Sequence, residues 1–144
     1  MSLTNPRQII ASELVSAFSR GTVPPENRVT RNPVREIVDI LAKEKFNGKV
    51  LFHFFGEEDP EYALERLDAY FSFPPIKSAK REIALVKIPT ERILAETDSP
   101  YVGKTPMDVE KSIMIIAEKK GMEYKEAAET TSRNAFKVFG LDAY

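Results

Sequence analysis

Cysteine is absent from this chain, histidine occurs once, and no apolar run approaches the length of a membrane span. The first absence removes disulfides, thiolate nucleophiles and thiolate metal sites together, and it fits a reducing compartment. Any metal must then sit on carboxylates and imidazole. With nothing near the ~18 apolar residues a bilayer demands, and no basic start leading into an apolar segment, the sequence reads as a soluble, cytoplasmic protein without a membrane partner. An excess of charge is missing too. The 22 acidic and 21 Lys or Arg side chains leave a formal charge of -1, so no overall positive field announces nucleic acid. At 144 residues with 42% hydrophobic side chains, the chain can bury one ordinary core but not two.

What is present is an alternation of helical and strand patterns. Asn5-Pro6 followed by Ile9, Ile10, Leu14, Val15 and Phe18 predicts a helix, stopped by Gly21 and Pro24-Pro25, and residues 20 to 28 look like a linker. Asn32-Pro33 opens a second helix over 33 to 46, with Val34, Ile37, Val38 and Leu41 on one face and Asn47-Gly48 beyond it. Val50 to Phe55 is a short apolar run of the kind covered on both faces of a parallel sheet, with His53 its one polar side chain. Asp59-Pro60 begins a helix to about Ala69, and Tyr70 to Phe73 forms the next strand, closed by Pro74-Pro75. A helix over Ser78 to Lys87 carries Ile83, Ala84 and Val86. Arg92 to Glu96 is a third strand. Thr105-Pro106-Met107-Asp108 is a capping signature for a helix with Val109, Ile113, Ile116 and Ala117 on one side, ending at Gly121. The last helix starts near Tyr124 and is expected to bury Ala127, Ala128, Thr131, Ala135, Val138 and Phe139. The order from Val50 onward, strand-helix-strand-helix-strand-helix-helix, predicts an α/β fold with parallel strands.

In such folds reactive groups gather at the C-terminal ends of the strands, where loops vary over a rigid sheet. His53 closes the first of these strands and Asp98 follows the third, so the two are expected at one rim. Chemistry leaves two readings of each. His53 is either a metal ligand or general base, or a core histidine held by backbone; Asp98 is either a ligand that also holds a water nucleophile, or a turn residue of Thr97-Asp98-Ser99-Pro100. Glu96 would share a face with Asp98 if the strand persisted, or would pair with Arg92 or a neighbouring lysine. Glu57, Glu58 and Asp59 read as a solvated loop or helix cap. Lys104, Lys119, Lys120 and Arg133 are candidates for a phosphate-binding rim, against the plainer reading as surface.

Ile88-Pro89-Thr90-Glu91-Arg92-Ile93-Leu94-Ala95-Glu96-Thr97-Asp98-Ser99-Pro100-Tyr101 resembles the last-strand signature of the TatD-type deoxyribonucleases. The segment Ala127 to Phe139, with Arg133-Asn134-Ala135, is similar to that family's closing helix. His53-Phe54-Phe55-Gly56 resembles its preceding motif, and Tyr70-Phe71-Ser72 its next strand. The resemblance covers Val50 onward. It implies a partial TIM-barrel-like parallel sheet with flanking helices, made as one α/β domain of an N-terminal helix and linker, 1–28, and a C-terminal barrel portion, 29–144. It implies a metal-dependent hydrolase of phosphodiester bonds using zinc, magnesium or manganese and no organic cofactor. His53 and Asp98 would be metal ligands, with Asp98 also catalytic, Lys104 and Arg133 would meet substrate, and DNA would be the partner.

The family's other ligands, a His-x-His pair on the first strand, a central glutamate and a further histidine, have no counterpart among these residues. Val29 stands where that further histidine would be, in Val29-Thr30-Arg31. A full barrel takes about 250 residues. A half-length sheet leaves open edges, so a homo-oligomer joined through them is expected. A shortened or degenerate form acting as a non-catalytic interaction module is the alternative to the hydrolase.

Overall fold

The computed structural model describes residues 9–10, 33–54, 56 and 58–141. Their backbone forms one parallel sheet in which strand order follows chain order: β1 (Ile9–Ile10), β2 (Lys49–His53), β3 (Asp68–Phe73) and β4 (Ile93–Ala95). The expected opening helix is not formed at Ile9 and Ile10. These two β-branched residues pair instead with Val50 and Leu51, where an edge of backbone donors and acceptors is available. The rest of that segment, the linker and Val29 lie outside the described residues.

Among the described residues five α-helices flank the strands: α1 (Pro33–Lys43), α2 (Pro60–Arg66), α3 (Ala79–Lys87), α4 (Val109–Lys120) and α5 (Tyr124–Phe139). The predicted first face of α1 holds, with Val34, Ile37 and Val38 buried. The helix ends earlier than expected because Lys45 turns left-handed and lets the Phe46 N–H return to the Leu41 carbonyl at 2.9 Å, a closure in which glycine is more usual. In α2, Asp59 caps the first turn by accepting from the Tyr62 N–H at 3.2 Å. That helix also stops short of Ala69. Pairing of Lys49 with Asp68 and of Val50 with Ala69 draws those residues into β3.

Period-two alternation splits the sheet into two chemically distinct faces. One presents Val50, Phe52, Phe71, Phe73 and Ile93 to the helices, where they meet Val34, Ile37, Val38, Leu85, Ile88 and Ile116 in the main core. Phe52 stacks on Phe71 at 5.2 Å and Phe54 on Phe73 at 5.1 Å, so neighbouring strands are locked by aromatic pairs. Each such ring contributes about 1.5–3 kcal/mol on leaving water. On α3 the buried residues are Ala84 and Leu85. Ile83 and Val86 are exposed, because only one edge of this short helix reaches the sheet.

The opposite face carries Leu51, Tyr70 and Leu94, which pack against Val138 and Ala135 of α5. This last helix buries Ala127, Thr131, Asn134 and Val138. Phe139, expected inside, is exposed and precedes the left-handed cap at Gly140. Asn134 takes the interior position because its side-chain amide donates to the carbonyls of Thr90 and Ile93, both at 2.8 Å. The architecture is that of an α/β, partial TIM-barrel-like sheet with flanking helices. No helix among the described residues is long and apolar enough to cross a membrane.

Candidate active site at the strand ends

The face that begins with Leu51, Tyr70 and Leu94 changes character two residues further along each strand, where it presents His53, Ser72 and Glu96. Register produces this. His53 lies opposite Ser72, Ser72 opposite Leu94, and the Glu96 N–H continues the ladder by donating to the Phe73 carbonyl at 3.1 Å. Glu96 therefore keeps the orientation of Leu94.

The three side chains are in mutual contact. Ser72 Oγ donates to Glu96 Oε2 at 2.9 Å and lies 3.3 Å from His53 Nδ1, while the same Glu96 oxygen meets Nδ1 directly. Ser72 is buried, and the side chains of Glu96 and His53 are 15% and 34% exposed, so the cluster opens to solvent on its histidine side. Behind it the Phe73 carbonyl takes a second bond, from the buried hydroxyl of Ser112 at 2.6 Å. The last carbonyl of β3 is thus fully used. Beside the cluster Gly56, at a φ of 105° that favours glycine, donates its N–H to Glu58 Oε2 at 3.0 Å. Glu58 is turned inward rather than solvated, whereas Asp59 is the cap the sequence suggested.

Asp98 follows the end of β4 but does not continue its alternation. Its backbone is left-handed, and its carbonyl accepts from the N–H groups of Tyr101 and Val102 at 2.9 and 2.8 Å. The carboxylate is exposed. The expectation that Glu96 and Asp98 share a strand face fails for this reason, and so does the pairing of Glu96 with Arg92. Arg92 instead meets Asp68 and lies over the Tyr70 ring at 4.6 Å.

The segment that carries Asp98 is fastened at two points. Gly103 donates to the Thr97 carbonyl at 2.7 Å, and a Cβ there would stand 2.7 Å from that oxygen, so no side chain fits. Asp108 accepts from the N–H groups of Lys104 at 2.7 Å and Thr105 at 3.3 Å and pairs with Lys111 at 3.1 Å. These bonds, the one from Lys104 foremost, hold its carboxyl below the usual carboxylate range. Lys104 consequently sits on the same loop as Asp98, with its side chain exposed. Arg133 does not. Its neighbour Asn134 is anchored at the beginning of β4, one strand length from Glu96, and Arg133 lines a shallow surface groove with Glu129, Ser132 and Phe136. Lys119 pairs with Glu82 and Lys120 donates to the Val86 carbonyl, so these two also face the α3 side rather than the rim.

Sequence reasoning named His53 and Asp98 but gave Ser72 no role and assigned Glu96 the wrong partners. The available signal was spacing. Each of His53, Ser72 and Glu96 is the polar residue two places after an apolar one on the same strand face. Ligand chemistry is not complete here: among the described residues no three His, Asp or Glu side chains converge closely enough to hold a metal ion. Taken alone, the described side chains do not fit a metal centre.

A family model for TatD related DNase matches residues 30–140. The chain belongs to the TatD-related DNase family. It is 34% identical over 125 residues to the deoxyribonuclease TATDN3 of Homo sapiens, covering 80% of this chain and 45% of the human protein. An uncharacterized metal-dependent hydrolase of Mycoplasma pneumoniae is 37% identical over 128 residues, with 76% and 49% covered. A third relative, the uncharacterized metal-dependent hydrolase YabD of Bacillus subtilis, is 32% identical over 126 residues, with 78% and 49% covered. The chain thus spans less than half the length of these relatives.

Proposed function

We propose that this TatD-family chain contributes the C-terminal part of a hydrolase site for phosphodiester bonds, with DNA as substrate. The observation that carries the reading is the polar cluster of His53, Ser72 and Glu96 at the C-terminal ends of parallel strands, on the sheet face that Leu51, Tyr70 and Leu94 share. In this reading the imidazole of His53 serves as a base or ligand, and Asp98 is the catalytic carboxylate at the rim. Lys104, on the fastened loop, offers a cation to a phosphate oxygen, whereas Arg133 is left out because it lies at the other end of β4.

Relatives named as metal-dependent hydrolases support a divalent cation, with zinc, magnesium and manganese as the ions to try and no organic cofactor. Its remaining ligands would come from outside the described residues, including a second copy of the chain joined at an open sheet edge. The absence of a three-ligand group among the described residues favours a second reading, a non-catalytic interaction module.

Titration calorimetry of each ion into metal-stripped protein separates the two. Saturable binding that is lost in both His53→Ala and Asp98→Ala, with cleavage of labelled DNA that follows the same pattern, is the result expected of the hydrolase. Folded protein that binds none of the three ions and leaves DNA intact overturns it and leaves the module.

A further inference from the structure

We propose that Tyr101 is a base-stacking residue, the surface on which one nucleobase of the substrate comes to rest; that DNA is the substrate rests on the hydrolase reading given above. Tyr101 is the most exposed of the large hydrophobic side chains among the described residues, at 87%. It directly follows the Thr97-Asp98-Ser99-Pro100 turn beyond the C-terminal end of β4, and its N–H donates to the Asp98 carbonyl at 2.9 Å. The ring is therefore carried at the same end of the sheet as the polar cluster. Ile83 and Val86 of α3 and Met114 of α4 are exposed too, but on helix flanks rather than beside a strand end.

The backbone that carries the ring is already ordered. The Asp98 carbonyl also accepts from the Val102 N–H at 2.8 Å, Gly103 donates to the Thr97 carbonyl at 2.7 Å, and Asp108 holds the Lys104 N–H at 2.7 Å. A ring on such a loop gives up little further backbone freedom when it takes a ligand, so a contact made there is kept as affinity. Both flat faces of an exposed phenol gain by leaving water against another flat ring. Nucleobases are such partners, and stacking accepts any of them because each has a π-face. The exposed side chain of Lys104, on the same loop, supplies the charge that a phosphate next to the stacked base would meet. Tyr101 thus takes the base and Lys104 the backbone.

Fluorescence anisotropy of a labelled oligothymidine, titrated with the full chain at low salt in EDTA, reads the contact without metal or cleavage. Wild type should bind this oligomer more tightly than an abasic sugar-phosphate oligomer of the same length and charge. Tyr101→Ala should lose about 5–150-fold on the oligothymidine and nothing on the abasic oligomer, while Tyr101→Phe keeps the wild-type affinity. The urea midpoint of Tyr101→Ala should stay at the wild-type value, since so exposed a ring supports no packing. Lys104→Ala should weaken both oligomers alike and flatten the salt dependence. Wild type that binds neither oligomer, an oligothymidine affinity indifferent to Tyr101→Ala, or an equal loss on both oligomers overturns the inference. Tyr101-dependent binding by protein that leaves DNA intact with zinc, magnesium and manganese counts against the hydrolase reading alone. Metal-dependent cleavage that runs equally fast in Tyr101→Ala at subsaturating DNA counts against the stacking role alone.

Discussion

Asn134 donates its side-chain amide to two carbonyls that flank the start of β4, Thr90 and Ile93, and it does so from a fully buried position on α5. Removing the donor leaves one buried and one part-buried acceptor without it. Asn134→Ala is expected to destabilise the fold by about 2–3 kcal/mol, measured as a lower urea midpoint with an unchanged slope. Asn134→Asp should cost more, since a carboxylate would confront the same two carbonyls. The Arg133-Asn134-Ala135 pattern was visible in the sequence, but its physical content was not. Periodicity ranks apolar residues and gave the interior place to Phe139, whereas a hydrogen bond to backbone from an asparagine has no periodic signature. His53 shows the same limit. Its place at a strand end was legible, while its partner Glu96 depended on where β4 stops alternating.

At the scale of elements, segments with a cap and a breaker were readable, and so were the ends of α3 and α4, while those of α1 and α2 were not. Ser78 caps α3 by accepting from the Arg81 N–H, and Gly121 closes α4 in the left-handed region, both as their residue types suggest. The ends of α1 and α2 moved because tertiary pairing decided them, a left-handed Lys45 in one and the call of β3 on Asp68 and Ala69 in the other. The turn before α4 carries a carboxyl that responds to acid. Its Asp108 carboxyl has a depressed pKa in the folded chain, so the stability it contributes is complete above the ordinary carboxylate value of about 4 and is lost as pH falls through the lower folded value. Asp108→Asn should therefore flatten the acid side of a stability-against-pH curve obtained from urea midpoints. A variant curve parallel to the wild type down to the acid limit would contradict this.

For the whole molecule, the alternation of strand and helix was enough to foresee a parallel α/β sheet, because a run such as Val50 to Phe54 has no amphipathic alternative. It could not foresee β1, whose two isoleucines also fit a helix. The sheet has β4 at its margin, and the chain spans less than half of the human and bacterial relatives. Backbone groups at such a margin favour a partner strand. Light scattering on the eluting protein should give twice the 16.3 kDa of one chain, dropping to one chain when proline replaces Ala95, whose N–H faces away from β3, without unfolding. A wild-type mass of a single chain at high concentration would leave the margin to some other cover.

Strand order equal to chain order also sets a timetable. As the chain leaves the ribosome, β2 can dock only beside what precedes it, β3 beside β2, and β4 last of all. Ser72 follows His53 by 19 residues and Glu96 follows Ser72 by 24, so the histidine emerges long before the carboxylate it contacts. At about 5–20 residues per second, that interval lasts seconds. The nascent sheet thus acquires its aromatic layer first and its polar cluster afterwards, and a stalled or clipped product ending before Glu96 would keep most of the core while the strand-end cluster lacked its carboxylate from β4.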